Sequence, residues 1–239
     1  MCGRYAQAQG IEEIVEQFEL DGSVIDHSLP INWNIAPTNE IYIIRAGAGR
    51  VLDTASWGVI APWQKNTVEA RASQSHAINA RSESIHEKPT FRQAFRTSRC
   101  LIPASGYYEW ATSLGEYPPK QPFYIHSETG NQLSIAGIWS SWKSESGEEI
   151  QSAAIITREA VGKLATIHSR MPVMMPADRW DIWLDPKLRD IDEVIALMQL
   201  TEPDKGLLAH PVSPRVNVVA NNGPQLIEEI ELGEPETLF

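Results

Sequence analysis

Cysteine is scarce in this chain: Cys2 and Cys100 are the two among 239 residues. Such a pair cannot build a disulfide framework, so the fold is expected to rest on a hydrophobic core in a reducing, cytosolic compartment. Long apolar runs are missing as well. None approaches the roughly 20 residues that a membrane-spanning helix needs. The first residues lack the basic-then-apolar order of a signal peptide. The phosphate-cradling Gly-x4-Gly-Lys-Ser/Thr, the dinucleotide Gly-x-Gly-x-x-Gly and the Gly-x-Ser-x-Gly elbow are all absent. Neither Cys-x-x-Cys nor His-Glu-x-x-His occurs, so a zinc site is not expected. Nucleotide hydrolysis, hydride transfer and metalloprotease chemistry lose ground accordingly. Positive charge is in the minority too, with 20 Lys and Arg against 31 Asp and Glu and a net charge of −11. Taken over the whole chain, that is the wrong sign for a phosphate-coated partner.

The charge is not evenly spread. Between 71 and 110 six residues are basic (Arg71, Arg81, Lys88, Arg92, Arg96, Arg99) and three are acidic. The acid collects from Asp178 to Asp204 and from Glu228 to Glu236. A local basic groove on an acidic protein fits this pattern, as does a solvated helix face. With 42% hydrophobic residues the chain can bury a real core. Periodicity predicts helices over 11–20, 90–99, 159–166, 177–184 and 191–200, with Asp21-Gly22 stopping the first. Strands are predicted over 41–45 and 51–57, joined by Gly47-Ala48-Gly49, and over 100–103, 106–110, 122–126, 133–142 and 150–157. A late strand over 211–219 returns to the sheet. The expected architecture is one α+β domain, residues 1–227, on a curved or barrel-like, mainly antiparallel sheet with peripheral helices. An acidic tail, 228–239, follows.

The chemistry concentrates in a few segments. Once Met1 is removed, Cys2 in Met1-Cys2-Gly3-Arg4 carries an α-amine and a thiol on adjacent carbons. This 1,2-aminothiol can close a five-membered thiazolidine on one aldehyde, and an α-amine with a pKa of about 7.7–8.0 is partly neutral at cellular pH. Asn79-Ala80-Arg81 sets an amide and a guanidinium two residues apart, on one side of an extended segment. Asn can orient a reacting oxygen and Arg can clamp a phosphate. In Gly106-Tyr107-Tyr108-Glu109-Trp110, burial of Glu109 among aromatics raises its pKa and suits it to proton transfer. His168-Ser169-Arg170 pairs an acid–base residue with a cation. Trp33, Pro37, Trp57 and Trp63 fit a stacking surface for bases. Each segment has a plainer reading: a turn capped by Asn79, Glu109 facing water, His168 bonding a helix end, tryptophans in the core. Cys100, inside an apolar strand, reads as a core residue.

Taken together, these segments resemble the SOS response-associated peptidase (SRAP) family. The resemblance runs in order through Met1-Cys2-Gly3-Arg4, Asn34-Ile35-Ala36-Pro37, Trp57-Gly58, Asn79-Ala80-Arg81, Gly106-Tyr107-Tyr108-Glu109-Trp110, His168-Ser169-Arg170-Met171-Pro172 and His210-Pro211-Val212-Ser213. One departure is visible: Pro62 directly precedes Trp63, where the family usually places its proline two residues ahead. The resemblance implies a protein that binds single-stranded DNA at an abasic site and joins it to the N-terminal cysteine as a thiazolidine. Cys2 is then the nucleophile, Asn79 positions the amine and the opened sugar, Glu109 shuttles protons, and His168 assists ring opening and reversal. Arg4, Arg81 and Arg170 hold phosphates, with Pro37, Trp63 and Trp110 along the DNA. No metal or organic cofactor is implied. The peptidase of the family name corresponds to release of Met1, by the protein itself or by an aminopeptidase. A cytoplasmic monomer, nucleoid-associated when bound, is the expected state. An N-terminal cysteine hydrolase using His168 as base, and a non-catalytic reader of modified bases, stay open beside it.

Overall fold

The computed structural model describes residues 2–21, 28–112, 117–118, 120–145 and 147–232. In chain order the strands are β1 (Tyr5–Gln7), β2 (Asn32–Ile35), β3 (Glu40–Gly47), β4 (Gly49–Trp57), β5 (Asn79–Arg81), β6 (Arg99–Ala104), β7 (Gly106–Trp110), β8 (Pro122–Ser127), β9 (Leu133–Lys143), β10 (Glu149–Glu159), β11 (Arg170–Pro172) and β12 (Leu207–Pro211). The α-helices are α1 (Ile11–Gln17), α2 (Thr67–Gln74), α3 (Arg92–Thr97), α4 (Leu164–Ile167), α5 (Trp180–Leu184) and α6 (Ile191–Leu197).

The hairpin at Gly47-Ala48-Gly49 begins a closed barrel. Gly49 takes φ +83°, a left-handed turn conformation that glycine adopts without steric penalty. β3 and β4 then pair from Gly47↔Gly49 to Glu40↔Ser56. β4 runs parallel to β10, β10 antiparallel to β9, β9 antiparallel to β6, and β6 returns to β3 through Ile44↔Leu101. The circuit β3-β4-β10-β9-β6 is therefore closed, which removes sheet edges. Beyond β4, β10 exchanges partners and takes β5 in parallel and β11 antiparallel. A second sheet, in the order β12-β8-β7-β1-β2, is antiparallel throughout.

Two apolar clusters follow from this arrangement. In one, barrel residues such as Ile44, Leu101 and Ile156 meet Ile14, Phe18, Trp180, Trp183 and Val194 of the helical layer. There Phe18 stacks on Trp180 with ring centroids 4.7 Å apart. In the other, Trp57, Cys100, Ile102 and Ile155 meet Cys2, Tyr5, Tyr107 and Phe123 of the second sheet. The α+β, barrel-like, mainly antiparallel expectation is met, and Cys100 is a core residue as expected.

Several local expectations are corrected. Glu159–Thr166 is not one helix: Glu159 stays in β10 opposite Arg170, Gly162 takes φ +55°, and only Leu164–Ile167 is helical. Val212–Val219 is not a strand: Pro214 starts a 3-10 turn over Pro214–Asn217, capped by Ser213, whose side chain accepts the Arg215 N–H. The strand lies earlier, at Leu207–Pro211, against β8. Trp57 is fully buried and stacks no base. Arg99 is no groove cation either. It is buried, and it donates to the carbonyls of Phe95, Arg96, Trp183, Asp185 and Leu188, tying together the ends of α3 and α5. Burial pulls its pKa down to about 10. After the 3-10 turns the chain folds back, with the Ile230 N–H donating to the Pro211 carbonyl at 3.0 Å. The remainder of the acidic segment, 233–239, lies outside the described residues, as do Met1, Gly22 and His27.

Gly106 sits where β1 and β8 flank β7, opposite Ala6 and His126. A methyl there would fall inside the van der Waals envelope of the Tyr124 ring and the Ile125 carbonyl. Gly106→Ala is expected to lower stability by about 1–3 kcal/mol, read as a shifted denaturant midpoint at unchanged slope.

Candidate active site

Cys2 is placed by strand pairing. β1 lies between β2 and β7 in the second sheet, with Tyr5↔Tyr107 and Ala6↔Gly106 opposite one another. The Tyr108 N–H donates to the Arg4 carbonyl at 3.0 Å. The register carries Cys2 and Gly3 alongside Glu109 and Trp110. The Cys2 side chain is completely buried. Burial pushes its thiol well above the ordinary range, and the Glu109 charge adds to the effect. The side-chain amide of Asn79 donates to the Cys2 carbonyl at 2.8 Å. That bond fixes the amide's orientation and leaves its Oδ1 buried with no hydrogen-bond partner among the described residues. An unmatched buried acceptor is costly and marks a position prepared for a donor.

Two features set Asn79 there. β5 docks on β10 through Ile155↔Asn79. The Trp57 indole N–H donates to the Ile78 carbonyl at 3.0 Å, one residue ahead. Trp57 itself meets Tyr5 edge-on with centroids 5.3 Å apart. The following Gly58 takes φ +124° against the Gln74 backbone, where no side chain fits. Trp57-Gly58 is thus a support for Asn79.

Glu109 is 3% exposed. Burial raises its pKa to about 7, so the carboxyl titrates at the working pH. His168 lies beside it, with Nδ1 4.0 Å from Glu109 Oε2. Burial lowers the His168 pKa, and Nδ1 accepts the Arg170 backbone N–H at 2.9 Å. The neutral imidazole therefore carries its proton on Nε2. A carboxyl poised near neutrality beside a neutral imidazole can take up and release protons in turn.

The cations and aromatics differ in their surroundings. Arg4 donates through Nη1 to Asn34 Oδ1 at 2.7 Å and to the Val216 carbonyl at 2.9 Å, and it lies over the Trp110 ring at 6.0 Å. The Trp110 indole N–H donates to Asn217 Oδ1 at 2.7 Å. Arg170 is held by Glu83 and Thr157. Arg81 is exposed, and with Glu159, His168 and Arg170 it lines an open groove of about 610 Å³. Pro37 is partly buried, while Trp63 is exposed on the loop ahead of α2. The expected residues Cys2, Asn79, Glu109 and His168 therefore meet at one place. Among the described residues, no three His, Cys, Asp or Glu side chains gather to hold a metal ion, and no helix is long and apolar enough to cross a membrane.

The family profile for SOS response associated peptidase (SRAP) matches residues 1–219. The chain belongs to the SRAP family. It is similar to Abasic site processing protein YoqW of Bacillus subtilis (strain 168), 34% identical over 229 residues that cover 95% of this chain and 99% of that protein. It is 29% identical to Abasic site processing protein HMCES of Rattus norvegicus over 77% of this chain and 58% of that protein. A crystal structure of a Bacteroides thetaiotaomicron protein shares the fold, with TM-score 0.83 at 23% identity over 96% of this chain and 100% of that one.

In this SRAP chain two supporting residues had no role assigned from sequence. One is Trp57. The other is Asn34, buried, which accepts from Arg4 and donates through Nδ2 to the carbonyls of Val218 at 3.0 Å and Asn221 at 2.9 Å. It joins β2, Arg4 and the loop after β12. A polar residue inside an otherwise apolar strand was the available signal.

The Glu109 shift has a consequence for stability. Its folded pKa of about 7 lies above the ordinary 4.5, so the folded state binds more protons between those values. The neutral acid is the favoured form, and its burial becomes a penalty as pH rises through that window. Glu109→Gln is expected to stabilise the protein at pH 8 by on the order of 1–3 kcal/mol and to flatten the pH dependence between about 4.5 and 7. Denaturant titrations across that range read both effects.

Proposed function

We propose that this chain processes abasic sites: freed of Met1, it binds single-stranded DNA at the lesion and joins it covalently through Cys2 as a thiazolidine. The observation that carries this reading is the arrangement around Cys2. An amide holds its backbone at 2.8 Å, and a carboxyl whose pKa is about 7 lies alongside. The names of YoqW and HMCES support the substrate class.

The closed sugar of an abasic site must open before it reacts, and His168 Nε2–H is the proton donor available for that step. The Cys2 amine then adds to the aldehyde carbon. Asn79 Oδ1 accepts an N–H of that amine and aligns its lone pair. Glu109 takes the proton the nitrogen loses and returns it to the departing hydroxyl, so one water leaves and an imine forms. The thiol adds across the imine: sulfur bonds to carbon, its proton passes by way of Glu109 to nitrogen, and the five-membered ring closes. Nothing is oxidised or reduced, and no cofactor is required. Single-stranded DNA suits the site because its sugars are not held in a stacked duplex. Arg4, Arg81 and Arg170 act as phosphate holders, with Pro37, Trp63 and Trp110 along the strand. All the reacting groups come from one copy of the chain, so a monomer suffices. A hydrolase with a Cys2 thiolate fits less well, because burial drives this thiol away from ionisation.

Denaturing gels after incubation with an abasic-site oligonucleotide test the assignments. Cys2→Ala is expected to abolish the adduct while retaining most noncovalent affinity; equal loss of both contradicts the role of Cys2. Glu109→Gln is expected to slow adduct formation by about 100-fold. It should also remove the limb of the rate profile that titrates near pH 7 in the parent protein, and an unchanged profile contradicts the proton-shuttle role.

A further inference from the structure

Glu83 lies four residues past Asn79 and is absent from the chemistry above. Its carboxylate grips the Arg170 guanidinium with both oxygens, at 2.7 Å from Nη1 and 2.9 Å from Nη2. This is the two-point geometry by which arginine also holds the non-bridging oxygens of a phosphate. The two partners are unequally placed. The Arg170 side chain is 12% exposed, whereas that of Glu83 is 48% exposed. Arg170 Nη2 also donates to the Thr157 carbonyl at 2.7 Å. The guanidinium therefore keeps a backbone anchor when the carboxylate moves away. Burial works against ionisation of Glu83, but the Arg170 hydrogen bonds outweigh it and hold the carboxyl below its ordinary range. Arg81 and His168 line the same groove as Arg170.

We propose that Glu83 is a resident anion at the Arg170 phosphate position, so that a DNA strand binds there by exchanging its phosphate for the Glu83 carboxylate. This rests on the single-stranded DNA reading above and deepens it. Strand binding becomes a replacement of one anion by another. Affinity for any single strand is thereby held below what the cations alone would supply. A half-exposed ion pair is weak enough for that exchange to be ready. Retention of DNA then depends more on capture at Cys2 than on phosphate contacts.

The test uses a fluorescent single-stranded oligonucleotide carrying one tetrahydrofuran abasic analogue. It has no aldehyde, so only noncovalent binding is read. Anisotropy titrations over a salt series compare the parent protein with Glu83→Gln, Arg170→Gln and the double variant. Glu83→Gln is expected to bind about three- to tenfold more tightly at about 0.1 M salt. The plot of log affinity against log salt should steepen by about 0.7, the single-strand value for one more neutralised phosphate. In the Arg170→Gln background the same change should give no gain. If Glu83→Gln does not fold, Glu83→Asp, with a shorter reach, should show a smaller gain of the same sign. Equal or weaker binding by a folded Glu83 variant overturns the exchange and leaves Glu83 a support for Arg170. No binding by the parent protein overturns the single-stranded DNA reading itself, and the exchange with it.

Discussion

The arrangement depends on an N-terminal strand held from both sides. Chain termini ordinarily fray, because nothing ties down their first residues. Here β1 is hydrogen-bonded to β2 on one side and β7 on the other, inside a five-stranded sheet. The residue before that strand's start is therefore drawn into the core, and Cys2 is as buried as Tyr5. A terminal aminothiol needs this. On a frayed end its two nucleophiles would have no fixed relation to an acid, a base or a sugar, and the gain from prepaid orientation would be lost.

The rest of the fold supports that one placement. The closed barrel provides β10, which carries β5 and β11 past the point where β4 leaves it. β5 carries Asn79, and β11 begins at Arg170, two residues after His168. The second sheet provides Glu109 on β7. The site thus lies where the barrel meets the second sheet, and both are needed to assemble it. Trp57 couples them, with its ring against Tyr5 and its N–H on Ile78. Asn34 performs a similar task on the Arg4 side, where it links a strand residue to the loop after β12. Rigid strands, rather than loops, hold the reacting groups, which suits chemistry demanding close alignment.

Much of this was legible in the sequence. The Gly47-Ala48-Gly49 turn and the long β-branched runs marked β3, β4, β9 and β10, because their side chains alternate over many residues. The residues that gather around Cys2 were visible as short motifs whose chemistry stands out. The three-residue strands β1, β5 and β11 were not, since three residues carry no period. Parallel pairing of β4 with β10, which helps close the barrel, depends on residues about 100 apart and leaves no local trace. The same holds for Arg99. Its composition reads as surface charge, but long-range geometry makes it a buried cap for helix ends. The pairing of Glu83 with Arg170 spans 87 residues and likewise escapes any local pattern.

The most direct test of the central claim is intact mass, with peptide mapping, of the protein after mixing with a single-stranded oligonucleotide carrying one natural abasic site, without borohydride. The account predicts a heat-stable species whose mass is that of the chain lacking Met1 plus the oligonucleotide minus one water, with the linkage mapped to Cys2. Absence of an adduct on protein confirmed to begin at Cys2, or a linkage mapped to another residue, would contradict it.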